Sequence, residues 1–472
     1  MQINKLLQFA LGPVLGAFIG LITLPIISWY FSVVDVGRIA MLNVVIGLAP
    51  LILTAGLDQS YVREYSESDS KVELFNLCIL PSLIVTFFSL GLITSQISVS
   101  QFLFGIDNYL YSALVVLAIF FSVIKRYQVL ELRMQQRGIA FSMTILLTKV
   151  TVPILLLLYY IFELTNSFKL LLIAYVASHA VVFLWLLPST LSSIFKSKIK
   201  SFNISKIKKM FNFGFPVALG AAAFWGMTSL DKFFLRSYSG FEELAVFSMA
   251  VSFASVATVL QGVFSSVWSP LVYKWLKDEG DESCLQKVEL VNQCIFFIAV
   301  LLFCLAGSFS WVIKYFIPDN YGDVSKLLLL CLLPPMIFTL SLISSVGLGI
   351  KRAAKLTLLS SIIALLTNVA ANYYLVPLYD AKGAACATAL SFLVFYIIKS
   401  ELSKLIWLSM SVIKHYTILF AMTVLAVIFV FIDDENIYFI NILWLMGAVL
   451  WCFFNKKQIS LILKYVRKEK IA

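Results

Sequence analysis

The chain is built mostly from long apolar stretches that are separated by short polar ones. Each stretch is about 20 residues long, enough for a helix to cross a hydrocarbon core about 30 Å thick. The apolar positions run in continuous blocks without the period-2 or amphipathic patterns of soluble proteins, so an all-α polytopic membrane protein is predicted. Fourteen spans are expected, near residues 6–30, 40–62, 74–94, 109–124, 139–162, 168–190, 211–235, 244–272, 288–312, 326–349, 355–378, 384–400, 415–432 and 438–454.

The second half of the chain echoes the first. The connection at 31–41, between spans one and two, aligns with 239–249, between spans seven and eight. Six spans per half is an even number, so both halves enter the membrane in the same direction, related by an axis along the membrane normal. The predicted organisation is an N-terminal six-helix half at 1–195, a basic cytoplasmic linker at 196–210, a C-terminal six-helix half at 211–405, and an extra helical pair with a basic tail at 406–472.

Glycine and proline recur in spans one and seven, which are equivalent in this repeat. Span one holds Gly12, Pro13 and Pro25, and span seven holds Gly214 and Pro216. Proline removes an intrahelical hydrogen bond and bends a helix. Two roles are open: hinges for alternating access, or close packing of small residues between helices.

The basic residues indicate the orientation. Of the 36 Lys and Arg residues, 28 fall in one set of alternate connections and termini, six in the other set and two inside spans. Because cytoplasmic connections collect Lys and Arg, both termini are predicted to be cytoplasmic. The net charge of +11 then reflects topology and anionic lipid, without any need for nucleic acid.

The opposite set of connections is short, so an external catalytic domain has no room. The sequence also has no G-x-x-x-x-G-K-[ST] phosphate loop for ATP hydrolysis, and its seven cysteines include no C-x-x-C pair. These features argue against an enzyme, and no metal or organic cofactor is expected. Energy would come from a coupling H⁺ or Na⁺, or from consumption of the product.

Lys149 is the clearest charge predicted to lie inside the membrane. It lies about 11 residues into span five, and a charge at the bilayer centre costs at least about 2.5–3.5 kcal/mol. It either lines a polar cleft and contacts an anionic substrate or forms a structural ion pair. His179 in span six has no second ligand nearby in sequence, which favours a hydrogen-bonded core residue over a proton relay.

Further charged candidates flank spans two and seven. Lys232 and Arg236 share a helix face at the outer end of span seven, where an anionic partner would offset their repulsion, although they could also be an interfacial pair. Asp58 and Arg63 lie at the cytoplasmic end of span two, either as substrate contacts or as an interfacial salt-bridge cluster. Asp58 or Asp231 could carry a coupling ion.

Two regions resemble the multidrug/oligosaccharidyl-lipid/polysaccharide exporter (MOP) superfamily. One has Asn372 in span eleven, Pro377 at its outer end, and Gly-Ala-Ala-Cys-Ala-Thr at 383–388 opening span twelve. The other, at 23–38 and 56–65, is similar to Wzx-type O-antigen and polysaccharide-repeat flippases. The resemblance covers spans one to twelve; the fourteen expected here exceed the twelve common among O-antigen flippases.

The resemblance implies that an undecaprenyl-diphosphate-linked oligosaccharide, such as an O-antigen repeat unit for lipopolysaccharide, crosses from the inner to the outer leaflet of a bacterial cytoplasmic membrane. It also implies polysaccharide polymerase and chain-length proteins as partners. An ion-coupled small-molecule antiporter on the same fold is the alternative. A membrane-embedded glycosyltransferase or polymerase would need a longer external loop.

Overall fold

The computed structural model describes residues 3–196, 204–407, 410–432 and 437–460. Residues 197–203 of the predicted linker and the end of the predicted tail, 461–472, lie outside the described residues. Within the described ranges the chain is helical. The α-helices are α1 (Ile3–Tyr30), α2 (Val33–Leu53), α3 (Leu57–Glu64), α4 (Lys71–Gln96), α5 (Val99–Phe104), α6 (Tyr109–Met134), α7 (Gly138–Ile161), α8 (Phe168–Lys196), α9 (Ile204–Ser229), α10 (Asp231–Tyr238), α11 (Gly240–Ser308), α12 (Val324–Ser344), α13 (Val346–Ile350), α14 (Ala354–Ile406), α15 (Ile413–Phe431) and α16 (Ile437–Phe454), with 3₁₀ turns at Ser310–Tyr315 and Asp319–Tyr321.

Eleven of the described helices are long and apolar enough to cross a membrane. Two of these, α11 with 69 residues and α14 with 53, are too long for one crossing. Each is interrupted once by a positive φ angle, 82° at Gly280 and 50° at Asp380, and therefore supplies two crossings. Together with the shorter apolar helix α16, the described residues provide fourteen apolar segments, so the all-α polytopic class is confirmed.

Polar side chains set the starts of several spans. Ser32, Ser70 and Asn108 each stand one residue before a helix and accept a hydrogen bond from the backbone N–H three residues later. Such N-caps satisfy one of the amide groups that the first helical turn leaves without a partner.

Spans two and seven end earlier than predicted. The predicted span at 40–62 ends at Leu53, because Ala55 and Gly56 take positive φ values of 48° and 81°, and the polar segment that follows forms the separate helix α3. The predicted span at 211–235 is α9, which ends at Ser229 and is followed by the short helix α10. The charged candidates flanking these spans consequently lie on short helices outside the long ones.

The contacts divide the chain into two compact units, Met1–Phe233 and Phe234–Ala472. In the first, α9 packs against α2 and α3, whereas the sequence repeat assigns span seven to the second half. The two packing units and the predicted repeat thus divide the chain at different places. The core of the first unit includes Tyr61, Phe75 and Tyr127, whose rings meet edge to face at centroid distances of 5.9 and 6.3 Å.

In the second unit, α11, α12 and α14 pack together and the final helical pair packs onto them. Helix α15 lies against α12 and α14, and α16 lies along α11. On that seam the Trp444 ring meets Phe303 edge to face, and a Cβ placed on Gly307 would lie 2.7 Å from Trp444 Cγ. The absence of a side chain at Gly307 allows this tryptophan to pack directly on α11, so the last pair is an integral part of the unit.

Candidate functional site

Lys149 lies in the middle of α7, where that helix packs against α1. It is 11 residues from Gly138, about 16 Å along the helix. Two glycines on α1 leave space for its side chain: a Cβ on Gly16 would lie 3.6 Å from Lys149 Cγ, and a Cβ on Gly20 would lie 3.9 Å from Nζ. The lysine is exposed, and no described residue forms a hydrogen bond or ion pair with it. Of the two roles predicted for Lys149, the structural ion pair is absent from the described contacts.

Lys125 on α6 lies beside Lys149. Its ammonium group donates a 2.6 Å hydrogen bond to Thr148 Oγ1, which neighbours Lys149 on α7. The charges of the two lysines repel each other, and no described carboxylate pairs with Lys125. In the sequence Lys125 directly follows an apolar run, which is typical of a residue in a cytoplasmic connection. In the structure α6 continues for nine residues beyond it, about 13 Å, to Met134.

His179 on α8 completes a cluster of three basic side chains, Lys125, Lys149 and His179, called the basic cluster below. Both lysines interact electrostatically with this imidazole. Its Nδ1 is buried without a hydrogen-bond partner among the described residues, so the expected hydrogen-bonded core role does not fit that nitrogen. Nitrogen groups from three helices therefore interact electrostatically without a described acidic partner, an arrangement that suits an anion.

Asp58 lies apart from this cluster in a hydrogen-bond network of its own. Its carboxylate is buried, and Oδ2 accepts hydrogen bonds from Arg126 Nε and Nη2 at 3.0 and 2.8 Å and from Gln59 Nε2 at 2.8 Å. Oδ1 accepts one from Thr54 Oγ1 at 3.1 Å. This network ties α3 to α6. The sequence predicted that Asp58 and Arg63 share a role, either as substrate contacts or in an interfacial salt-bridge cluster. In the structure Arg63 instead lies over the Phe213 ring of α9, 4.0 Å from its centroid.

The outer candidates lie on α10. Asp231 is buried, and its Oδ1 accepts a 2.8 Å hydrogen bond from the backbone N–H of Lys232. Arg236 lies on the same helix, with its guanidinium 5.6 Å from the centroid of the Phe241 ring. The predicted spacing of four residues between Lys232 and Arg236 on one helix is preserved, but the helix is short and follows span seven.

The hinge candidates on α1 lie in an uninterrupted helix that includes Pro13 and Pro25. Gly12 forms a close helix contact: its N–H donates to Ser142 Oγ at 2.9 Å, and a Cβ there would lie 2.6 Å from Ser142 Cα. Close packing is thus visible at Gly12, and hinge bending remains a prediction.

Gly214 is a second point of close packing. A Cβ on Gly214 would lie 2.0 Å from the carbonyl oxygen of Gly56, so the backbones of α9 and the α2–α3 corner touch directly. Pro216 lies two residues further along α9. Only a residue without a side chain fits at this crossing.

One of the two regions that carry the family resemblance, that with Asn372 and Gly383, forms a helical hairpin in α14. Asn372 Nδ2 donates to Asn368 Oδ1 at 3.1 Å, and Asn368 Nδ2 donates to Ser391 Oγ on the other arm at 3.4 Å. A Cβ on Gly383 would lie 2.2 Å from the carbonyl oxygen of Leu375, so glycine allows the two arms to meet. The motif therefore stabilises the hairpin.

Comparisons with solved structures identify the fold. One similar structure is the lipid II flippase MurJ in an inward closed conformation, with a TM-score of 0.70 at 15% identity, over 97% of this chain and 100% of that one. Another is an outward-facing multidrug resistance MATE family transporter of the MOP superfamily, with a TM-score of 0.56 at 16% identity, over 88% of this chain and 96% of that one. A MOP superfamily transporter from Pyrococcus furiosus has a TM-score of 0.53 at 16% identity over the same shares.

Sequence comparison gives the family. No curated protein matches the chain. Residues 4–275, more than half of the chain, match the family profile described as polysaccharide biosynthesis protein. With the MurJ-like and MATE-like helical fold established, the chain belongs to the polysaccharide biosynthesis protein family and is a multi-pass integral membrane protein with the architecture of MOP superfamily transporters.

Proposed function

We propose that this protein is a flippase that moves a polyprenyl-diphosphate-linked oligosaccharide from the cytoplasmic to the outer leaflet of a bacterial inner membrane by alternating access. The observation that carries the proposal is the basic cluster, in which Lys149 stands in the middle of a span without an acidic partner. A cation at that depth costs free energy unless an anion or water compensates it. A diphosphate would provide that anion.

The chemistry of the substrate explains why a protein is needed. A glycan carries many hydroxyl groups, and moving each into hydrocarbon without a hydrogen-bond partner costs several kcal/mol. A polar path through the protein removes that cost, while the prenyl chain stays in lipid. Lys149 and Lys125 would hold the diphosphate through charge-assisted hydrogen bonds, and Thr148 would orient the Lys125 ammonium group.

The other charged candidates receive distinct proposed roles. Asp58, with its hydrogen bonds to Arg126, Gln59 and Thr54, serves the packing of α3 on α6. Lys232 and Arg236 would contact the anionic substrate at the outer end of the path, and Asp231 would carry a coupling H⁺ or Na⁺. An O-antigen or other polysaccharide repeat unit is the proposed cargo, with a polymerase acting on it afterwards and both termini in the cytoplasm.

The competing proposal is an ion-coupled small-molecule antiporter. The fold shared with a multidrug resistance MATE transporter favours it. The positive charge of the basic cluster argues against a transporter of cationic drugs, because Lys125 and Lys149 would repel such a substrate. An anionic small molecule remains compatible with both lysines.

The decisive experiment measures on which side of the membrane the lipid-linked oligosaccharide lies in cells without this protein. Intact spheroplasts and opened membranes are treated with a membrane-impermeant glycan label. The flippase proposal predicts that the glycan accumulates and is labelled only after opening, and that the expressed protein restores labelling in intact spheroplasts. Equal labelling of intact spheroplasts with and without the protein would refute the proposal and leave the antiporter.

A further inference from the structure

A groove on the first unit lies between α4 and α9, above the α2–α3 corner. Its volume is about 370 Å³, within the range of small-molecule sites. One wall includes Pro81 and Val85 of α4, and the other includes Ile204 and Phe211 of α9. Helices α4 and α9 both pack on α3, so the corner forms the floor and the groove separates the two walls.

The groove is lined mainly by apolar side chains. Two hydroxyl groups reach it, and the hydrogen of each is already engaged: Thr54 Oγ1 shares its hydrogen between Pro50 O at 2.8 Å and Asp58 Oδ1 at 3.1 Å, and Ser82 Oγ donates to Cys78 O at 3.0 Å. A water molecule in the groove would therefore find few new partners, whereas an aliphatic chain would bury apolar surface. The rim is exposed: Val85 is 42% accessible and Ile204 is 75% accessible.

One charged residue, Lys208, lines this groove. It is exposed on the second turn of α9, and no described carboxylate pairs with it. It lies among the basic residues of the predicted linker, 196–210, at the end of the spans where Lys and Arg collect. On the predicted orientation, this end faces the cytoplasmic leaflet, which contains the anionic lipids that attract such residues.

We propose that this groove is a binding site for an anionic phospholipid of the cytoplasmic leaflet, with one acyl chain between α4 and α9 and the headgroup phosphate on Lys208. The assignment rests on the combination of an apolar groove with a single cation at its rim. It differs from the basic cluster, which uses side chains of α6, α7 and α8. The inference does not depend on the flippase proposal.

The position of the groove suggests what the lipid does. Its floor and one wall meet where Gly56 and Gly214 bring the backbones of the α2–α3 corner and α9 into contact. An acyl chain that fills the groove packs against both sides of this crossing. The bound lipid therefore stabilises the docking of α9 on α3.

The test uses the purified full-length protein with phosphatidylglycerol that carries a photoactivatable group in one acyl chain. Crosslinked peptides are mapped by mass spectrometry, and unlabelled phosphatidylglycerol, phosphatidylcholine and undecaprenyl phosphate are added as competitors. Crosslinks are expected at Val85 and Phe211. Phosphatidylglycerol should compete about fivefold better than phosphatidylcholine, the ratio expected from one lysine near an anionic lipid surface.

Two pairs of variants distinguish a site from ordinary surrounding lipid. Val85→Trp fills the groove and should abolish the crosslink, whereas Ile84→Trp, on the neighbouring exposed position outside the lining, should leave it. Lys208→Gln should remove the preference for phosphatidylglycerol, and Lys208→Arg should keep it. Size-exclusion chromatography confirms that each variant is folded.

Three outcomes would overturn the proposal. Equal crosslinking of Val85→Trp and Ile84→Trp would mean that the lipid is not held in the groove. An unchanged preference in Lys208→Gln would remove the headgroup contact. Stronger competition by undecaprenyl phosphate than by phosphatidylglycerol would assign the groove to a prenyl chain. Because the sidedness of the glycan is measured separately, failure of the phospholipid proposal is distinguished from failure of the flippase proposal.

Discussion

The central prediction concerns Lys149→Gln. The substitution keeps a polar side chain of similar length and removes the charge that would meet the diphosphate. A hydrogen bond to a charged group contributes about 1.5–3 kcal/mol, which corresponds to roughly 10- to 150-fold weaker binding. Because no described residue pairs with Lys149, its loss leaves no partner unsatisfied, and the thermal stability of the protein should not fall.

The assay measures binding of a short undecaprenyl-diphosphate-linked saccharide to purified protein in nanodiscs, beside the spheroplast labelling described above. Lys149→Arg should retain most of the binding, since it keeps the cation. Lys169→Gln serves as the matched control, because Lys169 is exposed at the N-terminal end of α8. This variant should bind the saccharide like the unaltered protein.

Two results would refute this reasoning. Unaltered binding by Lys149→Gln would remove the residue from the site. Alternatively, a clear fall in unfolding temperature with the same loss of binding in Lys149→Arg would indicate a packing role. A salt titration adds a further check, since screening by salt should weaken binding in the unaltered protein more than in Lys149→Gln.

Three further predictions follow from the geometry. Lys125→Gln should weaken binding of the same diphosphate-linked saccharide by about 10-fold or more, because it removes a second charge-assisted contact. An unchanged affinity would mean that Lys125 does not contact the diphosphate. Gly12→Ala should lower stability by about 1–3 kcal/mol, because its Cβ would lie 2.6 Å from Ser142 Cα, whereas Gly91→Ala, with no atom within 4 Å, should be neutral or slightly stabilising in thermal unfolding. Asp58→Asn should destabilise the protein without changing its dependence on H⁺ or Na⁺, and a double-mutant cycle with Arg126→Gln should show coupling; additive effects, or a lost ion dependence, would contradict the structural role.

Part of the candidate site could be predicted from the sequence. Lys149 stood out because a lysine within an apolar block has no solvent to reach, and this reasoning needs only local composition. Lys125 did not stand out, because it directly follows an apolar run and resembles an ordinary boundary residue. Its place beside Lys149 depends on how α6 and α7 pack, through a hydrogen bond to a residue 23 positions away.

The ion-pair partner of Asp58 could not be predicted from the sequence either, because it also lies on a distant helix. Arg63 and Glu64 were the nearby charges in sequence, yet the carboxylate pairs with Arg126, 68 residues away. The break at Ala55 and Gly56 was also not predicted, because the predicted span was continued to residue 62, through the polar segment that forms α3. That break turns α3 away from the line of α2 and allows Asp58 to meet α6.

The sequence by itself determined that the protein is a helical membrane protein with fourteen apolar segments, and it pointed to the MOP superfamily. This was possible because the bilayer imposes one local rule: every backbone polar group must be satisfied within a helix of sufficient length and apolarity. Only the tertiary structure decided which charges lie together, which glycines act as close contacts and where the lipid-facing groove opens. These depend on the register and crossing of helices distant in sequence, which side-chain packing sets and local composition does not encode.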